Sequence, residues 1–244
     1  MIDHWELFRE KYIGRGLIIG LSPDEKSFFQ IYWLTGRSEN SRNRIISEDR
    51  STLGLATFGL KVEPYEGEVE NPELHIYHAM KDFDGRHIVS NGNHTDTLLH
   101  HIIHKSPLEK ALKDIDFEPD EPNYTPRIGG VLDVKGNQYQ ILISKTHNND
   151  PNYSQKHIFS YEQPIPGIGH MIATYMRDAP KGQPLPSFQG EPLQKELCNT
   201  LEENYQRYLH MLEHNENFVS LAVKRIDVET GDIEYKIYNA REEE

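Results

Sequence analysis

Apolar and polar positions in this 244-residue chain alternate mostly with a strand-like period. Tyr12 to Ser22 is rich in Ile, Leu and Gly, and Phe28 to Thr35 in aromatics. The intervening Ser22-Pro-Asp-Glu-Lys26 carries turn residues, so the pair predicts a β-hairpin. Further strand-like runs are Glu73–Met80, His87–Ser90, Arg127–Asp133, Gln138–Ser144, Lys156–Tyr161, Phe218–Val228 and Ile233–Tyr238. Gly-Asn at 136–137 and Glu-Thr-Gly-Asp at 229–232 predict two more hairpin turns. Strands this numerous, joined by short turns, favour antiparallel sheet over βαβ winding.

Helical periodicity appears in two places. From Thr95, Leu98, Leu99, Ile102 and Ile103 recur at helical spacing, ending near Lys105, and Ser106-Pro-Leu-Glu109 reads as a capping box opening a second short helix. In Pro192–Glu213, Leu193, Leu197, Leu201, Tyr205, Tyr208 and Leu212 share one stripe, with Cys198 on its flank. The Pro/Gly-rich stretches 162–169 and 179–192 read as surface connections, and no repeat or domain boundary interrupts the chain. These elements predict a single α+β domain over residues 1–244.

Thirteen Tyr and nine Phe supply buriable surface to a chain only 36% hydrophobic, which argues against disorder. The formal net charge of −13 argues against a nucleic-acid partner, since such binding depends on many cationic contacts to phosphate, but is compatible with a small anion held in one cleft. A single cysteine, Cys198, excludes an intramolecular disulfide and a thiolate metal site. With no apolar run of membrane-spanning length and no signal-peptide pattern at Met1-Ile-Asp-His-Trp-Glu, the expected location is the cytoplasm, away from membranes.

Against that acidic background, Arg37-Ser-Glu-Asn-Ser-Arg-Asn-Arg44 concentrates three guanidinium groups, which fit a phosphate bidentately. A solvated loop paired with Glu39, Glu48 and Asp49 is the alternative. His94 lies in Ser90-Asn-Gly-Asn-His-Thr-Asp96, a polar strand-to-helix junction able to orient an anion or to cap the helix. His100 and His104 are four apart, but no acidic third ligand at helical spacing accompanies them, so no metal site is assigned. In Asp116-Phe-Glu-Pro-Asp-Glu-Pro-Asn-Tyr-Thr-Pro-Arg127, four carboxylates precede an arginine and supply candidates for general acid–base work.

Taken in order, Tyr12-Ile-Gly-Arg15, Arg37-Ser38 to Asn43-Arg44, Asn71-Pro72, Ser90-Asn-Gly-Asn-His-Thr-Asp96 and Thr125-Pro-Arg-Ile128 resemble the archaeal-type inosine monophosphate cyclohydrolase family, more weakly through Ala173-Thr-Tyr175. The resemblance implies a four-layer αββα sandwich like that of N-terminal nucleophile hydrolases, without their nucleophile; the chain opens Met1-Ile2-Asp3. It departs from the family pattern in carrying additional residues before Tyr12, Thr35-Gly36-Arg37 in place of Ser-Ser-Arg, and an extended acidic segment before Thr125. The implied reaction is closure of 5-formamidoimidazole-4-carboxamide ribonucleotide to inosine monophosphate (IMP) and water, with no metal or organic cofactor. By resemblance Arg37 is an anion and oxyanion contact, Tyr77 a hydroxyl donor, and Glu118 the proton-handling carboxylate, with Asp120 and Glu121 as the rival carboxylates for that role in the extended segment. Arg42, Arg44, Asn91, His94 and Arg127 would position phosphate, ribose or base, while Arg15 is either a site residue or a structural ion-pair partner. The partner implied is a small purine nucleotide, and a homo-oligomer stays open. The other classes are a non-catalytic purine-nucleotide-binding module and an amide hydrolase processed to a free N-terminal nucleophile.

Overall fold

A computed structural model describes residues 6–49, 58–69, 71–180 and 182–242; the opening Met1-Ile2-Asp3 lies outside them. The architecture is α+β with two antiparallel sheets. β1 (Gly16–Leu21) and β2 (Ser27–Thr35) form the expected hairpin and are buried at every position. They lie inside a six-stranded sheet of order β11-β10-β1-β2-β12-β13, with β10 at Ile168–Ala173, β11 at Leu193–Glu196, β12 at Phe218–Asp227 and β13 at Ile233–Asn239. Strands covered on both faces read as continuous apolar runs, which is why this hairpin stood out.

The seven-stranded sheet runs in chain order: β3 (Arg44–Glu48), β4 (Gly59–Pro64), β5 (Tyr77–Phe83), β6 (Arg86–Ser90), β7 (Arg127–Asp133), β8 (Gln138–His147) and β9 (Asp150–Tyr161). The turns at 136–137 and 229–232 join β7 to β8 and β12 to β13, as expected. The larger core cluster draws on both sheets, from Leu17, Phe29 and Trp33 to Met80, Ile128 and Ile141. Beyond the single turns α1 (Glu39–Arg42) and α2 (Pro72–His75), two helices, α3 (His94–Ile103) and α4 (Leu108–Asp114), pack Leu98, Ile102, Leu108 and Leu112 onto Ile88, Val131 and Leu142 of the seven-stranded sheet. Each such side chain contributes roughly 1.5–3 kcal/mol on burial. A third helix, α5 (Leu201–Leu212), lays Tyr208 and Leu212 into the larger cluster beside β12 and β13. Among the described residues no helix is long and apolar enough to cross a membrane.

Four local expectations give way. Glu73–Ile76 is not strand: Asn71 is left-handed (φ 51°) and Pro72 opens a single helical turn, Pro72–His75, before β5 begins at Tyr77. Pro192–Glu213 is not one helix: its first leucine belongs to edge strand β11, and the helix starts only after Thr200, whose hydroxyl and Glu203 form a reciprocal capping box. At α4 the N-cap is Pro107, and no side chain caps the turn. The two Pro/Gly-rich stretches are not merely surface connections. Gly167 hydrogen-bonds Leu21, and Leu185 and Phe188 are buried, with Lys145 Nζ donating to the Phe188 carbonyl at 2.5 Å.

Gly14 holds the turn into β1. Its φ is +70°, and a Cβ there would stand 2.0 Å from Thr174 Oγ1. Left-handed strain and overpacking together predict that Gly14→Ala loses about 2–4 kcal/mol of stability, read from urea denaturation. A loss below about 1 kcal/mol would mean this turn relaxes freely.

Candidate active site

One cavity, about 240 Å³, collects the ends of five separated segments. Tyr12 and Arg15 approach it from the turn into β1. Arg37, Ser38, Ser41 and Arg44 come from the loop between β2 and β3, which folds into one capped helical turn at Glu39–Arg42. Leu74 and His75 belong to the turn before β5, and Glu118, Asp120, Asn123 and Thr125 to the segment before β7. Tyr175, just past β10, and Leu185 complete the wall.

At its centre Arg15 Nη2 meets Glu118 Oε2 at 3.0 Å, with side chains only 9% and 5% exposed. Arg15 Nη1 donates to the Asn91 carbonyl at 3.0 Å, which fixes the guanidinium against the β6 end. Glu118 is turned inward by its loop: its amide N–H donates to the Thr125 carbonyl at 2.9 Å, closing a ring of residues around Asp120. Asp120 in turn accepts from the Thr125 amide at 2.6 Å and from its hydroxyl, while Thr125 Oγ1 and the Tyr175 hydroxyl also meet. Burial and then the neighbouring Glu118 push the Asp120 carboxyl up. Burial likewise raises the Tyr12 and Tyr175 phenols, opposed by Arg15.

Arg37 sits at the rim with its side chain 34% exposed, stacked 4.7 Å over the Tyr12 ring and bonded to Asp178 at 2.9 Å. Arg44 is buried, and its Nε donates to the Ser41 carbonyl at 2.9 Å. Of the eight site residues expected from the sequence, Arg37, Arg44 and Glu118 line the cavity. Tyr77 stands behind the wall, its hydroxyl 2.7 Å from that of Tyr32 and close enough to Arg15 to act on its charge. Arg42 turns away to the Gly36 carbonyl and Asn217 Oδ1. Asn91 spends its amide on the Pro126 carbonyl and the Ile128 N–H. His94 donates from Nε2 to the Ile128 carbonyl at 2.9 Å and accepts from Arg127 at Nδ1; Arg127 also holds Asn93. These four therefore brace the cavity from outside.

Asp120, the rival to Glu118 in the acidic segment, also lines the wall, whereas His75 and the Ser38/Ser41 pair were not among the expected site residues. Only the serines left a signal, the Ser38-x-x-Ser41 spacing of a reciprocal cap. The His100 and His104 rings stand 4.2 Å apart and His104 Nδ1 donates to the His100 carbonyl. Among the described residues the one group with metal-ligand spacing is His210, Glu213 and His214, all exposed and outside this cavity.

A model of the family described as IMP cyclohydrolase-like protein matches residues 12–231. Curated relatives that carry the name IMP cyclohydrolase include three from archaea of different genera. That of Methanosphaera stadtmanae is 27% identical over 70% of this chain and 76% of its own. That of Haloquadratum walsbyi is 28% identical over 94% and 100%, and that of Methanococcus aeolicus 31% identical over 67% and 74%. Because the family match spans all five segments that build the cavity, the chain belongs to the IMP cyclohydrolase-like protein family.

Proposed function

We propose that this protein is an IMP cyclohydrolase whose chemistry takes place in the Arg15–Glu118 cavity, closing 5-formamidoimidazole-4-carboxamide ribonucleotide to IMP and water. The observation that carries the reading is the meeting of a buried carboxylate–guanidinium pair with Arg37 and Arg44 in one cleft of a chain that is acidic overall. The substrate is a small nucleotide, anionic at one end and amide-rich at the other. Arg37 and Arg44, with the Ser38 and Ser41 hydroxyls, suit its phosphate; Arg15 and Glu118 suit its reacting end.

Both reacting groups belong to one molecule, so holding them in a near-attack geometry removes much of the barrier. As the carboxamide nitrogen bonds to the formyl carbon, the carbonyl electron pair moves to the formyl oxygen. Glu118 takes the proton of the attacking nitrogen and passes it to that oxygen. Arg15, buried and fixed, is better placed than the rim residue Arg37 to stabilise the developing oxyanion, with Tyr77 supporting it. Asn91, His94 and Arg127 hold Arg15 and the segment before β7 in register, and Arg42 holds the loop that presents Arg37.

We extend the reading to the fold. We infer that helices α3 and α4, the seven-stranded sheet, the six-stranded sheet and α5 stack in the αββα order of N-terminal nucleophile hydrolases, as a single domain. A net charge of −13 suits a nucleotide partner better than a nucleic acid.

Truncating a charge-assisted phosphate contact costs ~1.5–3 kcal/mol, so Arg44→Ala and Arg37→Ala are expected to weaken IMP binding about 10- to 100-fold in calorimetric titration. Arg42→Ala should cost stability rather than affinity. An affinity loss at Arg42 with none at Arg37 or Arg44 would move the phosphate out of this cavity.

A further inference from the structure

The His75 imidazole lies in the same cavity wall as Glu118, Arg15 and Arg44. Its Nδ1 is sealed from solvent and unpartnered. A buried polar atom left unpaired is unfavourable, and in a cavity wall a ligand or a reacting group can relieve it. The backbone delivers it deliberately: left-handed Asn71 and Pro72 wind one turn that ends at His75, and the chain returns to extended conformation at Ile76.

We propose that His75 is a second proton-handling residue of the ring closure, serving the dehydration half of the reaction. This rests on the cyclohydrolase reading of the cavity. After Glu118 has moved the first proton, the ring carries a hydroxyl on the former formyl carbon. The C–O bond then breaks with its electron pair going to oxygen. The imidazole takes the proton of the former formamido nitrogen, whose N–H pair closes the C=N bond, and hands that proton to the departing hydroxide as water. The imidazole is regenerated and no other reactant is consumed. A group that both accepts and releases a proton near neutral pH suits this step.

The surroundings keep His75 in the accepting form. Burial lowers its proton affinity first, then Arg44 from β3 and Arg15 from the turn into β1, against Glu118 from the segment before β7 and Glu73 on its own turn. Arg37, Asp120, Tyr12 and Tyr175 are the other ionisable groups of the wall.

The test compares the parent protein with His75→Gln, His75→Asn and His75→Ala in the ring-closure assay, beside calorimetric IMP binding and thermal melts. Expected is a turnover loss of about 10²-fold in the folded variants, KM and IMP affinity within about threefold of the parent, and partial recovery of His75→Ala by added free imidazole. Parent-like turnover in any His75 variant overturns the proposal while leaving the cyclohydrolase reading intact. So does loss of affinity with turnover retained, or a turnover loss that imidazole does not relieve. A parent protein that does not close the ring takes both down.

Discussion

Glu118→Gln is expected to slow ring closure by about 10²–10⁴-fold while the protein folds and binds IMP, the usual range for losing a general acid–base group. The amide keeps an oxygen that accepts from Arg15, so the buried guanidinium is not stranded and the fold is spared most of the ~3–5 kcal/mol that follows when one partner of a buried ion pair is removed outright. What it cannot do is take a proton. The neighbouring carboxylates separate cleanly in the structure. Glu121 and Asp116 are exposed, so Glu121→Gln should leave turnover unchanged. Asp120 closes its loop through Thr125, so Asp120→Asn should loosen the segment and lower thermal stability. Steady-state rates on the three amide variants, each checked for IMP binding, decide the matter. Normal turnover in Glu118→Gln would remove this carboxylate from the chemistry.

Acidification is expected to unfold the protein well before its carboxylates are fully protonated. Three buried histidines accept a hydrogen bond at Nδ1 and are held neutral. His87 accepts from Lys224 Nζ at 3.0 Å, His94 from Arg127 at 3.2 Å and His170 from the Tyr139 hydroxyl at 2.5 Å. Burial, then Lys224, lowers His87 to about 2; burial, then Arg127, lowers His94 to about 3; burial lowers His170 to about 4. An unfolded chain binds these protons near pH 6.5, and the folded chain does not. Stability is therefore complete above that value and falls as the pH drops toward the lowered pKa values. Each site contributes ~1.4 kcal/mol per pH unit, so together they remove ~4 kcal/mol per unit between about pH 6 and 4. Against a typical total of ~5–15 kcal/mol, that is enough to place the acid transition in or just below this window. Urea midpoints measured from pH 7 to pH 4 should fall steeply, and a flat profile would show that the rings are protonated in the folded state.

How much of this was legible in the chain depended on what each signal was competing with. The β1–β2 hairpin and β7 were plain because strands buried on both faces leave uninterrupted apolar runs between turn residues. β3 went unseen because its Ile-Ile core is flanked by Arg44 and Glu48, and β11 because Leu193 happens to keep helical spacing with Leu197 and Leu201. Glu118 could be named from order along the chain, yet its inward turn depends on the Glu118–Thr125 backbone bond, which no local pattern announces. Arg42 and Asn91 have the right chemistry for a ligand, but Gly36, Asn217, Pro126 and Ile128 claim them first. His75 was invisible for the opposite reason. Its importance is an unpaired nitrogen, a property of the assembled cavity.

The central claim is that this cavity closes the purine ring, and it is tested most directly by incubating the purified protein with 5-formamidoimidazole-4-carboxamide ribonucleotide and following purine formation by ultraviolet absorbance. The account predicts IMP appearing at a rate proportional to protein and suppressed in Glu118→Gln. Tight IMP binding with no ring closure above the uncatalysed rate would contradict it, and would leave a purine-nucleotide-binding module in its place.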